Sequence, residues 1–533
     1  MELKNQISRK SVLLIAIILL AGFLRFYQIS SNPPGLYWDE VANGYDAYSI
    51  LKTAHDHHGQ FLPFFFESFG DWKLPGYIYL SIPSILVFGL NEFAIRFPSA
   101  LLGTLTVPIL FLLVNKLTKN INLALLSSLF LAISPWHIQF SRAGFESTVG
   151  LFMAMSGTYL FLVGLQKGKS TLLTFSFLLL TFSMYTYHAY RIFTPLIVIA
   201  IVVIFKSEIK KNLSKLAVGA ICAIVVSLPL LAFTFSPQGR LRATSQSVFQ
   251  KEEFSKEDVN YNQKSKKPLR FMSKYWYQSG AYYTYVATNA YFDHFSPTFL
   301  FVRGDQIGRH SQVDMGQLHV FELPLILASL FALRTVAKGA LVLFAAWLIL
   351  GPVPAIIVSA SPHANRTLQM APIFSFLSAL GALYLFSKIK FRPVVAALLI
   401  FALYHLFAFT HMLFVHYPVK FSPDWQDGNR KMVELVKKYQ DGYDKVYISN
   451  NDQAYIYLLF YTKYDPKKFI DEKGDKNSFN KYIFVSSDYD LYNKERILYV
   501  SPSWQKMDGR ELASVSDSGG RRVYGIWELG GPN

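Results

Sequence analysis

The chain has 533 residues, of which 52% are hydrophobic and only 16% are charged, and its formal net charge at pH 7 is +17. Soluble globular domains carry roughly 25% charged residues, so this composition excludes an ordinary soluble domain and a disordered chain and predicts a membrane protein. The single cysteine, Cys222, excludes an internal disulfide and a thiolate metal cage.

Membrane-spanning helices need about 20 apolar residues, and eleven runs of the sequence are candidates. These runs lie near residues 11–29, 97–115, 122–138, 145–165, 171–187, 192–205, 216–235, 318–333, 339–358, 369–387 and 393–415. The first run follows Lys4, Arg9 and Lys10 without a small-residue cleavage site. We therefore expect a retained signal anchor with a cytoplasmic N-terminus.

The distribution of basic residues supports this topology. The six segments that alternation places in the cytoplasm hold 16 lysines and arginines against two glutamates, which is the positive-inside pattern of a multi-pass protein of the plasma (inner) membrane. The pattern assigns residues 74–90, which prolines and glycines interrupt, to a helix at the outer interface rather than to a span. Most of the net charge is then an orientation signal, so nucleic acid is not an expected partner.

Three long stretches remain for the outer face, at residues 30–96, 236–317 and 416–533. The last of them, which we call the tail, alternates strand-like runs with one helical run and predicts a small α/β domain. The predicted architecture is an all-α polytopic membrane module over residues 1–415, with about 11 transmembrane helices plus interfacial helices. An extracytoplasmic α/β domain follows it over residues 416–533.

The candidate functional residues all fall on the predicted outer side. They are Asp39, Glu40, Lys73, Arg142, Glu146, His188, Arg191, Asp305, His310, His363 and Arg366. Few ionisable residues remain inside the spans, which disfavours an ion-coupled transporter, because such proteins need titratable groups near the midplane. The run from His55 to His58 carries metal-binding residue types, but consecutive residues rarely converge on one ion, so no metal site is predicted.

This placement favours chemistry on a donor that is itself a lipid, such as a sugar linked to a polyprenyl phosphate. Transfer of that sugar requires a carboxylate that accepts the proton of the acceptor. It also requires cations that hold the phosphate as negative charge develops on the departing oxygen. The sequence contains no nucleotide-binding glycine loop, and this chemistry requires no cofactor. The sequence leaves open whether a divalent cation takes part.

The order of motifs resembles the GT-C glycosyltransferases, in particular the group that contains the protein O-mannosyltransferases and the lipid A aminoarabinose transferase. The resemblance rests on the acidic pair Asp39 and Glu40, on KLPGYIYL at 73–80 and on NEFAIRFPSALLGTLTVPILFLLV at 91–114. It covers roughly residues 10–190. It implies a GT-C fold and direct displacement with inversion at the anomeric carbon, with Asp39 as general base and Lys73 as a phosphate ligand.

The remaining residue assignments keep their alternatives. Glu40 is expected to support the base, while Arg142, Arg191 and Arg366 are candidate phosphate ligands. The candidate substrate contacts are Glu146, His188, Asp305, His310 and His363. The alternatives are a helix N-cap for Asp39, an interfacial anchor for Lys73 and for the two His and Arg pairs, and an i,i+4 ion pair between Arg142 and Glu146.

The predicted function is therefore transfer of a monosaccharide from a polyprenyl-phosphate donor at the outer face. A transporter or flippase of lipid-linked sugars, and an anchored scaffold whose tail binds envelope partners, are the two alternatives. The identity of the sugar, and of the acceptor among glycans, lipids and proteins, does not follow from the sequence. Membrane lipids are the other expected partners.

Overall fold

The computed structural model describes residues 2–239, 280–356, 361–389, 391–486, 491 and 496–530. Part of the predicted middle loop, residues 240–279, thus lies outside the described residues. Helices dominate the described chain up to the start of the tail, as the apolar composition predicts.

The described helices, in chain order, are α1 (Glu2–Phe26), α2 (Trp38–Thr53), α3 (Gly76–Phe88), α4 (Glu92–Thr118), α5 (Ile121–Ile133), α6 (Pro135–Ser141), α7 (Glu146–Lys167), α8 (Ser170–Ser183), α9 (Tyr190–Ile204), α10 (Lys206–Lys211), α11 (Leu213–Phe235), α12 (Gly280–Asp293), α13 (Glu322–Ala332), α14 (Lys338–Leu350), α15 (Ala371–Lys388), α16 (Arg392–His411), α17 (Tyr417–Lys420), α18 (Asn429–Tyr439), α19 (Ala454–Thr462) and α20 (Pro466–Asp471). Local signals fix several of their ends. The side chain of Asn91 accepts a hydrogen bond from the third backbone amide of α4, and Asn120 caps α5 in the same way. Ser134 caps α6, and Pro135 at its first position breaks the helical path between α5 and α6 by 58°.

Five helices among the described residues are long and apolar enough to cross a membrane, or six if the bent pair α5 and α6 forms one span. They are Glu92–Thr118, Glu146–Lys167, Leu213–Phe235, Asn365–Lys388 and Arg392–Lys420. Other predicted spans coincide with shorter helices. The run predicted at 339–358, for instance, stops being helical at Leu350, because Pro352 and Pro354 cannot donate backbone hydrogen bonds. The number of eleven spans stays a prediction.

The helices pack around one main hydrophobic core. Buried side chains of α1, α4, α5, α7, α13, α14 and α15 form it, and Trp136 and Trp347 are among its largest members. The predicted interfacial segment is the helix α3. It buries Tyr77 and Ile78 among its neighbours and exposes Leu86 and Val87.

The described strands are β1 (Phe66–Ser68), β2 (Asp71–Lys73), β3 (Val446–Ser449), β4 (Ser478–Phe479), β5 (Tyr482–Val485), β6 (Ile497–Pro502), β7 (Arg510–Ser516) and β8 (Arg522–Leu529). β1 and β2 form an antiparallel hairpin in the first outer loop. The other six form a mixed sheet in the tail with the order β4-β5-β3-β6-β8-β7, in which β5, β3 and β6 are parallel.

The tail shares its core with the first outer loop. One cluster of buried side chains contains Val41 and Tyr45 of α2 together with Leu458 and Phe460 of α19. A Cβ atom added at Gly44 would lie only 2.8 Å from Cε2 of Phe460, so the two helices meet at a glycine. The tail therefore fixes the position of α2, which carries the predicted acidic pair.

Candidate active site

A polar cavity of about 390 Å³ opens beside the first turn of α2. Its walls also come from the hairpin β1–β2, the first residue of α7 and loops that contain residues 309–310 and 363–365. Seven of the predicted site residues line it, namely Asp39, Glu40, Lys73, Glu146, His188, His310 and His363. We call it the active cavity. It collects residues that lie more than 300 positions apart in the sequence.

Asp39 and Lys73 form an ion pair at this cavity. Nζ of Lys73 lies 2.9 Å from Oδ1 of Asp39, and it also donates to the backbone carbonyl of Asp39 at 3.3 Å. The side chain of Asp39 is 46% exposed and that of Lys73 is 12% exposed, and the ammonium lies 5.4 Å from the ring centre of Phe69. The N-cap alternative for Asp39 is wrong, because α2 begins at Trp38 and its cap is Tyr37.

Glu40 follows Asp39 in the chain but is buried and fully engaged. Its carboxylate accepts hydrogen bonds from Nε of Arg96 at 3.0 Å, from the amide of Gly144 at 2.8 Å and from the amide of Tyr37 at 3.2 Å. The last contact closes the N-terminus of α2 from its third position. Glu40 thereby joins three segments beneath the active cavity, and Asp39 keeps the exposed face.

Arg142 is not part of the active cavity, although the sequence suggested a phosphate ligand. It is 1% exposed, and its guanidinium donates to the backbone carbonyls of Leu24, Tyr27 and Asn32 at 2.7–2.9 Å. These carbonyls lie at the end of α1 and at the start of the first outer loop. They occupy the N–H groups of Arg142 that a phosphate would need. The alternative of an ion pair with Glu146 is not realised either, because Glu146 accepts instead from Nδ2 of Asn43 at 3.1 Å.

Arg96 is the buried cation that the sequence analysis missed. Its guanidinium donates to both carboxylate oxygens of Glu40, to the carbonyls of Ile29 and Pro33, and to that of Gly35. A signal was present, since an arginine inside the apolar run of α4 needs buried partners. The sequence could not say which partners these are.

His310 and His363 of the cavity lining form a buried cluster with Asp305, which does not itself line the cavity. Nδ1 of His310 lies 3.3 Å from Oδ2 of Asp305, and the same oxygen accepts from the amide of Ala364 at 2.7 Å. Burial alone would raise the pKa of Asp305, but the hydrogen bond from His310 and the nearby histidines hold it below its usual value. Burial, followed by the charges of His310 and Arg366, lowers the pKa of His363.

This cluster has the residue types of a metal site. One ligand atom from each of its three members lies within 4.8 Å of the others. Two imidazoles and a carboxylate suit zinc and other divalent ions. The cluster is therefore where the described chain could hold the divalent cation that the sequence left open.

In the run from His55 to His58, His57 pairs with Asp46, whose Oδ1 lies 2.5 Å from Nδ1 of the ring.

Two predicted cations stand behind the cavity rather than in its described walls. Arg191 contacts Nδ1 of His188 at 3.2 Å and the hydroxyl of Thr234, so only the histidine reaches the cavity. Arg366 likewise does not line it, whereas His363 does. In each of the two predicted His and Arg pairs, the histidine therefore lines the cavity and the arginine does not.

Arg309 is a cation of the active cavity that the sequence analysis did not select. Its guanidinium lies 3.5 Å from the ring centre of Tyr37, and it donates to the carbonyl of Asp424 at 2.8 Å. Burial raises the pKa of Tyr37 to about 12 in spite of this cation. Trp425 of the tail also lines the cavity. Neither has a local sequence signal, because both reach the cavity from distant segments.

An apolar cavity of about 1040 Å³ adjoins the active cavity. Both are lined by Thr186, and Pro75, which lines the apolar cavity, follows Lys73 by two residues. Phe61, Phe64 and Leu80 contribute to its walls. A charged site next to a large apolar one suits a ligand with a polar head and a hydrocarbon tail.

Residues 15–240 match the family model described as dolichyl-phosphate-mannose-protein mannosyltransferase. This match covers the first outer loop and most of the predicted site.

Two sequence relatives come from Bacillus subtilis (strain 168). Putative mannosyltransferase YycA is 26% identical over 223 residues, which are 40% of this chain and 31% of YycA. Putative mannosyltransferase YkcB is 25% identical over 233 residues, which are 41% of this chain and 30% of YkcB. The chain thus spans about a third of the length of these curated relatives.

Solved structures extend the likeness to the whole chain. ArnT from Cupriavidus metallidurans, bound to undecaprenyl phosphate, superposes with a TM-score of 0.58 over 98% of this chain and 99% of ArnT, at 12% identity. The oligosaccharyltransferase AglB from Archaeoglobus fulgidus, in complex with an inhibitory peptide and a dolichol-phosphate, gives a TM-score of 0.51 over 85% of this chain and 63% of AglB, at 15% identity. At these identities the likeness defines the fold alone. The resemblance to the GT-C glycosyltransferases that the sequence predicted is confirmed.

Proposed function

We propose that the protein transfers a monosaccharide from a polyprenyl-phosphate donor to a hydroxyl of an acceptor at the extracytoplasmic face of the membrane. The observation that carries this proposal is the ion pair of Asp39 and Lys73 at the junction of a polar and an apolar cavity. The mannosyltransferase family model and the undecaprenyl phosphate bound by ArnT support a donor of this class.

In this proposal the apolar cavity takes the first part of the polyprenyl chain, and the phosphate lies at Lys73. Because Lys73 pairs with Asp39, a donor phosphate at Lys73 would compete with Asp39 for the ammonium. Donor binding thus releases the carboxylate of Asp39. The base becomes available when the leaving group is already held by its cation.

The reaction is then a single displacement. Asp39 accepts the proton of the acceptor hydroxyl while the hydroxyl oxygen bonds to the anomeric carbon, and the bond from that carbon to the phosphate oxygen breaks. The polyprenyl phosphate leaves with the electron pair, and Lys73 stabilises its negative charge. Configuration at the anomeric carbon inverts, and no covalent sugar-enzyme intermediate is needed.

The sidedness of the reaction is part of the proposal. The basic residues of the predicted cytoplasmic segments support a cytoplasmic N-terminus in the plasma (inner) membrane, with the active cavity and the tail on the outer side.

Replacement of Asp39 by Asn tests the proposal. Purified protein is incubated with a panel of polyprenyl-phosphate monosaccharides, and release of the polyprenyl phosphate is followed by mass spectrometry. Turnover by Asp39→Asn protein is expected to fall by about 10²–10⁴-fold with an unchanged melting temperature. Asp314→Asn, which removes an exposed carboxylate paired with Lys420, is the matched control and keeps full turnover. Turnover of Asp39→Asn protein at the wild-type rate would remove Asp39 as base, whereas absence of polyprenyl phosphate release by the wild-type protein would favour a transporter of lipid-linked sugars.

A further inference from the structure

A second polar cavity, of about 410 Å³, lies where the first outer loop meets the tail. We call it the tail cavity, and its lining includes His57, Glu67, Phe69, Asn450, Tyr455 and Asp475. Its volume is within the range of small-molecule sites. Phe69 lines both the tail cavity and the active cavity, so one aromatic ring separates the two.

The tail cavity lies at the edge of the sheet where mixed α/β domains bind their ligands. Asn450 directly follows β3, which is paired in parallel with β5 on one side and with β6 on the other. After β3 the chain runs through α19 and α20 to β5, and it then crosses β3 to reach β6. The carboxyl end of β3 is thus a topological switch point, the usual position of a ligand crevice in such sheets.

Two buried polar atoms at this cavity have no hydrogen-bond partner in the described part of the chain. They are Nε2 of His57 and Oδ1 of Asn450. The side chain of His57 is only 2% exposed, and its other ring nitrogen is held by Asp46 at 2.5 Å, which fixes the orientation of the imidazole. Buried polar atoms of native proteins are almost always paired, and because these two belong to residues of the cavity lining, a polar ligand that displaces the lining slightly would pair them.

The chemistry of the walls favours a neutral molecule rich in hydroxyl groups. The carboxylates of Glu67 and Asp475 would repel a phosphate, and Lys476 balances only part of their charge. A hydroxyl both donates and accepts, so it satisfies the amide oxygen of Asn450 and also Nε2 of His57 in either protonation state of the ring. The rings of Phe69 and Tyr455, which contact edge to face with centroids 6.3 Å apart, add the apolar surface that the carbon faces of a sugar need.

We propose that the tail cavity binds a neutral sugar unit of the acceptor, and hence that the acceptor is a glycan. The acceptor role rests on the proposed function, whereas the sugar site itself does not. A glycan held in the tail cavity would pass Phe69 and present its next hydroxyl to Asp39 in the active cavity. The tail would then select the acceptor, while the membrane module binds the donor.

Binding of simple glycosides to the full-length protein in detergent tests the sugar site without any donor. Saturation-transfer NMR is measured with methyl glycosides of mannose, glucose, galactose and xylose, and the dissociation constants are obtained by titration. We expect at least one glycoside to bind wild-type protein and Asn450→Ala protein to bind it about tenfold more weakly, the loss of one hydrogen bond to a buried group. Asn451→Ala, which changes the neighbouring asparagine outside the cavity lining, is the matched control and binds as wild type.

A second variant, Glu67→Gln, protects the test from a folding defect, because Glu67 is exposed on β1. It is expected to weaken the same glycoside and to keep the melting temperature. Absence of binding to wild-type protein, or equal binding by wild type, Asn450→Ala and Glu67→Gln, would overturn the sugar site. Binding of inorganic phosphate that depends on Asn450 would overturn it as well.

The acceptor role is measured separately, as transfer from the polyprenyl-phosphate donor to the glycoside that binds. Asn450→Ala is expected to lower transfer to the glycoside at limiting concentration and to recover it at saturation. Equal transfer at limiting glycoside would overturn the acceptor role. If Asp39→Asn protein kept full turnover while glycoside binding still depended on Asn450, the proposed function would fail and the sugar site would stand.

Discussion

Two groups of charged side chains lie next to each other at the first turn of α2 and differ in burial and in their hydrogen-bond partners. The first, which we call the buried framework, consists of Glu40, Arg96 and Arg142, all at most 4% exposed. Its hydrogen bonds go mainly to backbone carbonyls and amides of distant segments. The second is the pair of Asp39 and Lys73, which faces the active cavity and has one ion-pair contact between its side chains.

The difference shows that adjacent acidic residues divide two tasks. Successive residues of a helix are rotated by about 100°, so Asp39 and Glu40 face different surroundings. Glu40 is already surrounded by hydrogen-bond donors. Its carboxylate links α2, α4 and the residues before α7 through these contacts. Asp39 keeps a carboxylate that a ligand can reach. The predictions below separate these two roles.

Replacement of Arg96 by Ala should give the largest effect on stability. It leaves the carboxylate of Glu40 buried without a cation, which typically costs about 3–5 kcal/mol. The measurement is thermal unfolding of the purified protein in detergent. Lys73→Ala, which also removes one cation beside an acidic residue, should lower stability by less than about 1 kcal/mol. Similar melting temperatures for the two variants would contradict the claim that the buried framework stabilises the fold more than the pair of Asp39 and Lys73 does.

Lys73→Ala should instead weaken donor binding by about tenfold to hundredfold, the usual loss for a hydrogen bond to a charged group. Affinity for a polyprenyl-phosphate sugar is measured by titration of the purified protein. Lys52→Ala, at the last turn of α2 and away from the active cavity, is the control. An unchanged donor affinity would indicate that Lys73 only anchors the chain at the membrane interface.

Arg142→Lys should reduce stability by about 1–2 kcal/mol, because an ammonium cannot reproduce the planar fork that bonds three carbonyls. Donor affinity should stay that of the wild type, since Arg142 belongs to the framework. Parallel unfolding and titration experiments check both statements. A loss of donor affinity without a loss of stability would return Arg142 to the phosphate site.

Asp56→Asn should have the smallest effect, and its sign depends on pH. Asp56 is a buried carboxyl that, unlike Glu40, has no arginine beside it among the described residues. Burial, and then the charge of Asp46, raise its pKa to about 6. Because this pKa lies above that of the unfolded chain, the native state loses stability as pH rises through 6. Removal of the charge should therefore stabilise the protein by about 1 kcal/mol at pH 8 and by less at pH 5. Melting temperatures of both proteins at the two pH values test this, and an equal difference at both would contradict it.

The sequence analysis selected Asp39 and Lys73 as candidate site residues but did not select Arg96 of the framework. Asp39 and Lys73 sit in short motifs whose order along the chain is informative, and the structure brings them to 2.9 Å. The contacts of Arg142 could not be predicted, because they involve backbone carbonyls, which look the same in every sequence. Arg309 was missed for a similar reason, since only the folded chain places it over Tyr37.

The tail illustrates a second limit of the sequence pattern. Apolar strand-like runs at 444–449, 481–486, 496–501 and 521–529 predicted its strands, and the structure places a strand in each of them. The pattern could not reveal that α2 packs on α19, because an apolar helix face next to a membrane looks the same whether it meets lipid or protein. Helix lengths near prolines, as in α14, were the other source of error.

The shared core of α2 and the tail has a consequence for biosynthesis. The ribosome makes Phe460 and Tyr457 more than 400 residues after Leu36, yet the hydroxyl of Tyr457 bonds the carbonyl of Leu36, and Phe460 packs against Gly44. Trp425, a wall of the active cavity, also arrives late. A nascent or prematurely terminated chain would therefore carry Asp39 on an unsupported helix. The cavity beside α2 would thus be complete only after the tail has been synthesised and folded.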